Sequence, residues 1–150
     1  SRSPDFSAAG GRFGIGSDSR VLTGVGDELR KLEYSQRLDR RARNVLARPG
    51  GSIGRALFDA ALAGGARALR ADTGRIEPGA DADLVSLDEN HPTLAGKSGD
   101  AVLDAWIFAG AAAVDCVWAR GKKRVEGGRH HLREAVAARY RRTMTGLAGR

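Results

Sequence analysis

Gly74-Arg-Ile-Glu-Pro-Gly79-Ala-Asp-Ala-Asp83-Leu-Val-Ser-Leu-Asp88 is the stretch on which the fold turns. Glycine, proline and aspartate crowd its first half, as turns demand, and a short apolar piece follows. The pattern predicts a strand over Ala82 to Leu87, entered from a loop. Downstream, Val114-Asp-Cys-Val-Trp118 and Lys122 to Glu126 read as two more strands, joined as a hairpin around Arg120-Gly121. Upstream stands Arg12-Phe-Gly-Ile-Gly-Ser-Asp18-Ser19, a short apolar run that ends on a carboxylate.

The rest of the chain reads as helix. Asp5 to Gly11 has the texture of a helix end, stopping on glycines where a left-handed cap is easy. Arg12 to Gly16 is expected as a short buried strand and Ser17 to Gly26 as a loop. Asp27 is a candidate N-cap for a helix over 27–47, with Leu29, Leu32, Tyr34, Leu38, Val45 and Leu46 on its apolar side. Arg48-Pro-Gly-Gly51 breaks that pattern. Ser52 then caps a helix from Ile53 to Leu62 that should end at Gly64-Gly65, with room for another turn over Ala66 to Leu69. Asp88 to Lys97 is expected as loop, and Ala101 to Phe108 as either a helical turn or an extended connector. Leu132 to Leu147 closes the chain as an amphipathic helix, with Val136, Tyr140 and Met144 at four-residue spacing.

Length and composition bound what this can be. At 150 residues the chain can bury a core, but a whole (β/α)₈ barrel takes roughly 250 and is excluded. Opening on Ser1 rather than Met agrees with truncation or processing. Hydrophobic residues are 41% and charged ones 29%, the balance of a soluble globular protein. No apolar run approaches the roughly 20 residues of a membrane span. The single cysteine, Cys116, precludes an internal disulfide, so a cytoplasmic setting is expected.

The net charge of +7 sits largely in Arg37-Leu-Asp-Arg40-Arg41-Ala-Arg43 and Arg139-Tyr-Arg141-Arg142. A basic surface can serve nucleic acid or an anionic substrate. Acidic residues (Glu28, Glu33, Asp39, Glu134) interleave with the basic ones, and both clusters read as solvated helix faces. Neither a nucleic-acid partner nor a membrane is expected.

Asp18 is the main chemical candidate. A carboxylate just past the end of a buried strand sits where α/β barrels place reactive groups, and Gly16 and Ser17 allow close approach. Taken alone, Gly-Ser-Asp is more often a loop or helix cap. The histidines add little: His91 lies in a Pro-flanked loop, and His130-His131 on extended chain should point to opposite faces, a poor chelate. All three are expected to face solvent. Cys116 alternates with Val114 and Trp118 as a small buried hydrophobe. The glycines from Gly10 to Gly16 lack a nucleotide fingerprint.

Taken together, the motif ending at Asp18 and the stretch Gly74 to Asp88 resemble the last barrel strand and the flanking small β-domain of metal-dependent amidohydrolases. Within that superfamily, Gly14-Ile-Gly-Ser-Asp-Ser followed by Asp27-Glu-Leu-Arg-Lys-Leu-Glu-Tyr34 is similar to the formimidoylglutamate deiminases of histidine degradation. Ser52 to Gly65 and Leu103-Asp-Ala-Trp-Ile-Phe-Ala-Gly110 add to the likeness, which covers nearly the whole chain. The fold class so implied is α/β, the C-terminal portion of a (β/α)₈ barrel with part of a small β-sandwich. Residues 1–73 would close the barrel (strand 8 and its helices), 74–131 would form part of the small β-domain, and 132–150 the C-terminal helix.

The resemblance carries one catalytic position onto this sequence, Asp18. In the family that aspartate binds a divalent metal, usually zinc, and accepts a proton from the metal-bound water. The family's His-x-His pair and later histidines are absent here, while catalytic zinc takes about three protein ligands. The implied reaction is hydrolysis of N-formimino-L-glutamate to N-formyl-L-glutamate and ammonia, with a small-molecule substrate, and a homodimer is expected for the complete enzyme. Two alternatives stand beside it. One keeps the superfamily and changes the substrate to a nucleobase, a thioadenosine or a triazine. The other makes the chain a non-catalytic basic binding module.

Overall fold

The computed structural model of the chain describes residues 6, 9–16, 18, 24–47, 50–109 and 113–149. Asp5, Ser7 and Ala8 of the expected helix end, Ser17, Ser19 and the Arg48-Pro49 break lie outside them. The chain divides into two compact units, residues 1–80 with 89–113, and residues 81–88 with 114–150.

Among the described residues, three helices build the first unit. Helix α1 spans Val25–Arg40 and starts from Gly24, with Asp27 and Glu28 inside its first turn, where negative charge meets the positive end of the helix. Asp27 is therefore not the cap that the sequence suggested. The helix stops at Arg41, whose left-handed backbone returns its N–H to the Arg37 carbonyl. Val45 and Leu46 lie beyond it.

Helix α2, Ile53–Leu69, is capped as expected by Ser52, whose hydroxyl accepts the Arg55 N–H at 2.9 Å. It does not end at Gly64-Gly65 but runs through them to Leu69. Glycine costs a helix interior only about 1 kcal/mol, which burial of the apolar stripe outweighs. Helix α3, Asp100–Phe108, settles the open choice over that segment as helical.

The core of this unit is Leu29, Ile53, Leu57, Ala61 and Ile107. Along α2 the buried residues Ile53, Leu57, Ala61 and Gly64 follow helical spacing. Phe13, Ile15, Leu32, Leu46, Trp106 and Phe108 pack around them. Trp106 meets Phe58 edge-on at 6.0 Å. Expectations for the faces of α1 fail as well. Leu38 is 82% exposed, and Glu33, assigned to a solvated face, is completely buried. Arg37 leaves that face too, with its guanidinium over the Tyr34 and Phe108 rings at 5.1 and 5.4 Å. Arg40, Arg41 and Arg43 are exposed as expected.

The second unit is a four-stranded antiparallel sheet in the order β1 (Leu84–Leu87), β2 (Val114–Ala119), β3 (Lys122–Glu126) and β4 (Arg129–His130). The β2–β3 turn has positive φ at both Arg120 and Gly121, the twist that a two-residue hairpin requires. Gly127-Gly128 repeats the device between β3 and β4, a second hairpin that the sequence reading did not separate. Cys116 is buried as expected. Helix α4, Arg133–Ala148, closes the chain with Ala137 and Ala138 half-buried, while Val136, Tyr140, Met144 and Leu147 are exposed. Among the described residues, no helix is long and apolar enough to cross a membrane.

Candidate active-site segment

The segment that carries Asp18 is positioned from both ends. On its N-terminal side, Gly10 is left-handed at φ 78° and Gly11 N–H reaches back to the Phe6 carbonyl at 2.8 Å, the glycine stop anticipated there. The chain then alternates from Arg12 to Gly16. Phe13 and Ile15 turn into the core cluster, while Arg12, Gly14 and Gly16 are exposed. The inward–outward alternation is that of a strand, but no described segment pairs with it, so Arg12 to Gly16 is neither a ladder strand nor fully buried. Strand structure resides in the ladder, and alternation by itself does not make one.

On the C-terminal side the start of α1 is fixed against α3. A Cβ at Gly26 would stand 3.4 Å from the Trp106 carbonyl oxygen and 3.7 Å from the Ile107 Cα, so the two backbones run close. Arg30 donates to the Ile107 carbonyl at 3.5 Å and pairs with Asp27.

Between these anchors Asp18 is exposed, in a turn, at φ 45°. Few residues other than glycine adopt that backbone, and aspartate is among those that tolerate it. An exposed carboxylate on an uncommon backbone, following a core-anchored apolar run, is a functional candidate on geometry.

Among the described residues no group of three or more His, Cys, Asp or Glu could hold a metal ion. The donor chemistry of Asp18 suits a divalent cation, yet catalytic zinc takes about three protein ligands, so these residues alone do not make its site. His91 is half-buried, with Nδ1 2.9 Å from the Thr93 hydroxyl. His130 and His131 are exposed, as expected, but not on opposite faces: their rings stack at 4.4 Å. Alternation of faces holds within a strand, and β4 ends at His130. His130 Nδ1 accepts the Leu132 N–H at 3.1 Å and His131 Nδ1 meets the Arg124 carbonyl at 3.0 Å.

Two carboxylates have structural work that the sequence did not assign. Asp83 Oδ1 accepts the Arg120 N–H at 2.7 Å, and the Ala82 carbonyl accepts the Gly121 N–H at 2.9 Å. The Ala-Asp-Ala-Asp end of the opening stretch therefore clasps the β2–β3 turn. Asp104 accepts from Gly54 and Ser52 at the start of α2. A run of Gly, Pro and Asp ahead of a strand was the available signal for the first; nothing local marked the second.

Comparison with known proteins agrees with the earlier resemblance. The amidohydrolase family profile matches residues 4–124. Formimidoylglutamate deiminase of Pseudomonas aeruginosa is 51% identical over 138 residues, which cover 91% of this chain and 30% of that protein. The crystal structure of an amidohydrolase from Brucella melitensis superposes with a TM-score of 0.87 at 55% identity, covering 97% of this chain and 32% of that one. The chain thus spans about a third of the length of these relatives.

Proposed function

This chain belongs to the amidohydrolase family, and from that premise we propose that it serves the hydrolytic deimination of N-formimino-L-glutamate within a longer enzyme. The observation that carries the reading is the 51% identity to a formimidoylglutamate deiminase over 138 residues, which include Asp18 and the stretch from Gly74 to Asp88. In that reaction water adds to the formimino carbon, the bond from that carbon to the terminal nitrogen breaks, and ammonia leaves with N-formyl-L-glutamate as co-product.

Asp18 is the residue we assign from this chain. Its carboxylate contributes one oxygen ligand, accepts the proton of the attacking water and passes it to the departing nitrogen. A divalent metal, zinc in this proposal, lowers the pKa of water toward neutrality when bound. Its other ligands and the substrate pocket belong to the part of the enzyme that this chain does not span. A cytoplasmic, homodimeric enzyme completes the proposal; the free thiol of Cys116 is in keeping with a reducing compartment.

The test is ammonia release by the complete enzyme from N-formimino-L-glutamate, run beside thioadenosine and nucleobase substrates and, with chloride release followed, a chlorinated triazine. A kcat/KM for N-formimino-L-glutamate well above the others is the expected result. Preference for any of the others would overturn it.

A further inference from the structure

We propose that Gly64, in the middle of α2, is a positioning residue that sets where Asp18 stands. The inference rests on the assignment of Asp18 above, but its starting point is a contact that involves no side chain. A Cβ built on Gly64 would lie 1.8 Å from the Phe13 carbonyl oxygen, 2.5 Å from the Phe13 carbonyl carbon and 3.2 Å from the Gly14 nitrogen. From the other side, a Cβ on Gly14 would lie 3.7 Å from both the Gly65 Cα and nitrogen. Helix and extended segment therefore cross backbone on backbone, five residues before Asp18.

Nothing in the helix itself asks for glycine at 64. Gly64 is not among the positive-φ glycines, and in a helix interior glycine is disfavoured relative to alanine. The close approach is what requires it. The neighbouring Gly65 makes the contrast sharp: a Cβ there meets nothing within 4 Å. The same chemical change, one residue apart, thus enters open space at one position and the Phe13 carbonyl at the other.

The consequence follows from how the segment is held. Among the described residues, Phe13 and Ile15 in the core and the crossing at Gly64 are what hold the segment. Real Cβ atoms stay beyond 3.0 Å of such neighbours, so a methyl at 64 drives the segment away by roughly 1 Å. Proton transfer needs heavy atoms within about 2.6–3.2 Å, and a misplacement of about 1 Å can cost about 100-fold.

The experiment compares Gly64→Ala with Gly65→Ala in the complete enzyme, each alone and on an Asp18→Asn background. Gly65→Ala should leave kcat and KM unchanged. Gly64→Ala should lower kcat by about 100-fold with KM within about three-fold. On the Asp18→Asn background Gly64→Ala should have almost no further effect, because the residue through which it acts is already disabled. An equal loss in both backgrounds would overturn the proposal, since a general weakening of the fold acts regardless of Asp18. If Gly64→Ala does not fold, Gly14→Val presses on the same crossing from the segment's side and takes its place in the cycle. Crystal structures of the variants separate this inference from the reaction assigned above. If the enzyme proves to act on another substrate, a shift of the Asp18 backbone by roughly 1 Å in Gly64→Ala but not in Gly65→Ala still supports the positioning role. An unmoved Asp18 refutes it.

Discussion

Asp104 Oδ1, on α3, accepts the backbone N–H of Gly54 at 2.7 Å, on the first turn of α2. The same oxygen accepts the Ser52 hydroxyl at 3.0 Å, while Ser52 in turn caps the Arg55 N–H. One carboxylate thus satisfies a helix N-terminus across fifty residues of sequence and ties the two helices together where their backbones meet. There a Cβ on Gly54 would stand 2.6 Å from the Asp104 nitrogen.

Asp104→Ala should therefore destabilise the protein by about 1–3 kcal/mol, because it removes a charge-assisted acceptor from a half-buried helix start. Asp104→Asn, which keeps a carbonyl oxygen in place, should lose less. Urea midpoints of the two variants decide the matter: equal losses would mean that shape rather than charge is at work.

Glu33 is the costlier side chain to remove. Completely buried, it accepts the Arg37 Nε at 2.8 Å and the N–H groups of Val45 and Leu46 at 3.0 Å each. Glu33→Ala strands two backbone donors and a guanidinium, so a loss of about 3–5 kcal/mol is expected. Glu134→Ala, which removes an exposed partner of Arg129, should stay within about 0.5 kcal/mol. Equilibrium unfolding that found the two comparable would contradict the anchoring role of Glu33.

Acid should uncouple one exposed cluster selectively. Hydrogen bonding and proximity to the Arg75 guanidinium hold the Asp72 carboxyl below its ordinary value of about 3.9, with the Arg75 Nη1 2.6 Å away. A depressed folded-state pKa gives stability that is complete above the unfolded value and lost as pH falls through the folded one. Arg75→Met should thus lower the melting midpoint slightly at pH 5 in low salt, and the difference should vanish at strongly acidic pH. Because the group is exposed, moderate salt should shrink the effect as well. A difference that persists in acid would assign it to packing of the Arg75 stem.

In the complete enzyme Asp18→Asn should leave the fold intact and nearly abolish turnover. An amide can still offer a weak oxygen ligand but cannot accept the proton of water. Steady-state kinetics beside a thermal melt separate the two effects, and activity within a few-fold of the parent would make Asp18 structural.

The 150-residue chain by itself should bind zinc weakly and show no deiminase activity, since Asp18 is the one ligand assigned to it. Dialysis followed by metal analysis tests this. Tight stoichiometric zinc that only chelators remove would mean that the chain assembles a site of its own.

Local chemistry decided much of this molecule in advance. Ser52 had to cap α2 because its hydroxyl lies where the first free amides are, and Arg120-Gly121 had to turn because positive φ is tolerable there. The strands from Leu84, Val114 and Lys122 follow from β-forming runs between turn residues. Asp18 was legible as a candidate from its place after an apolar run, and the family from the two motifs read together.

Other features were set only by the assembled tertiary structure, and each involves partners far apart in sequence. The burial of Glu33 depends on amides twelve and thirteen residues away, so its charge alone placed it wrongly in solvent. Gly64 looked like a helix end, because glycine is a common stop. It is instead the place where another backbone passes, which periodicity cannot register. Asp104 likewise gave no local sign of reaching Gly54. Sequence patterns report what a residue does to its own few neighbours; which distant backbone arrives beside it is fixed by packing of the whole unit.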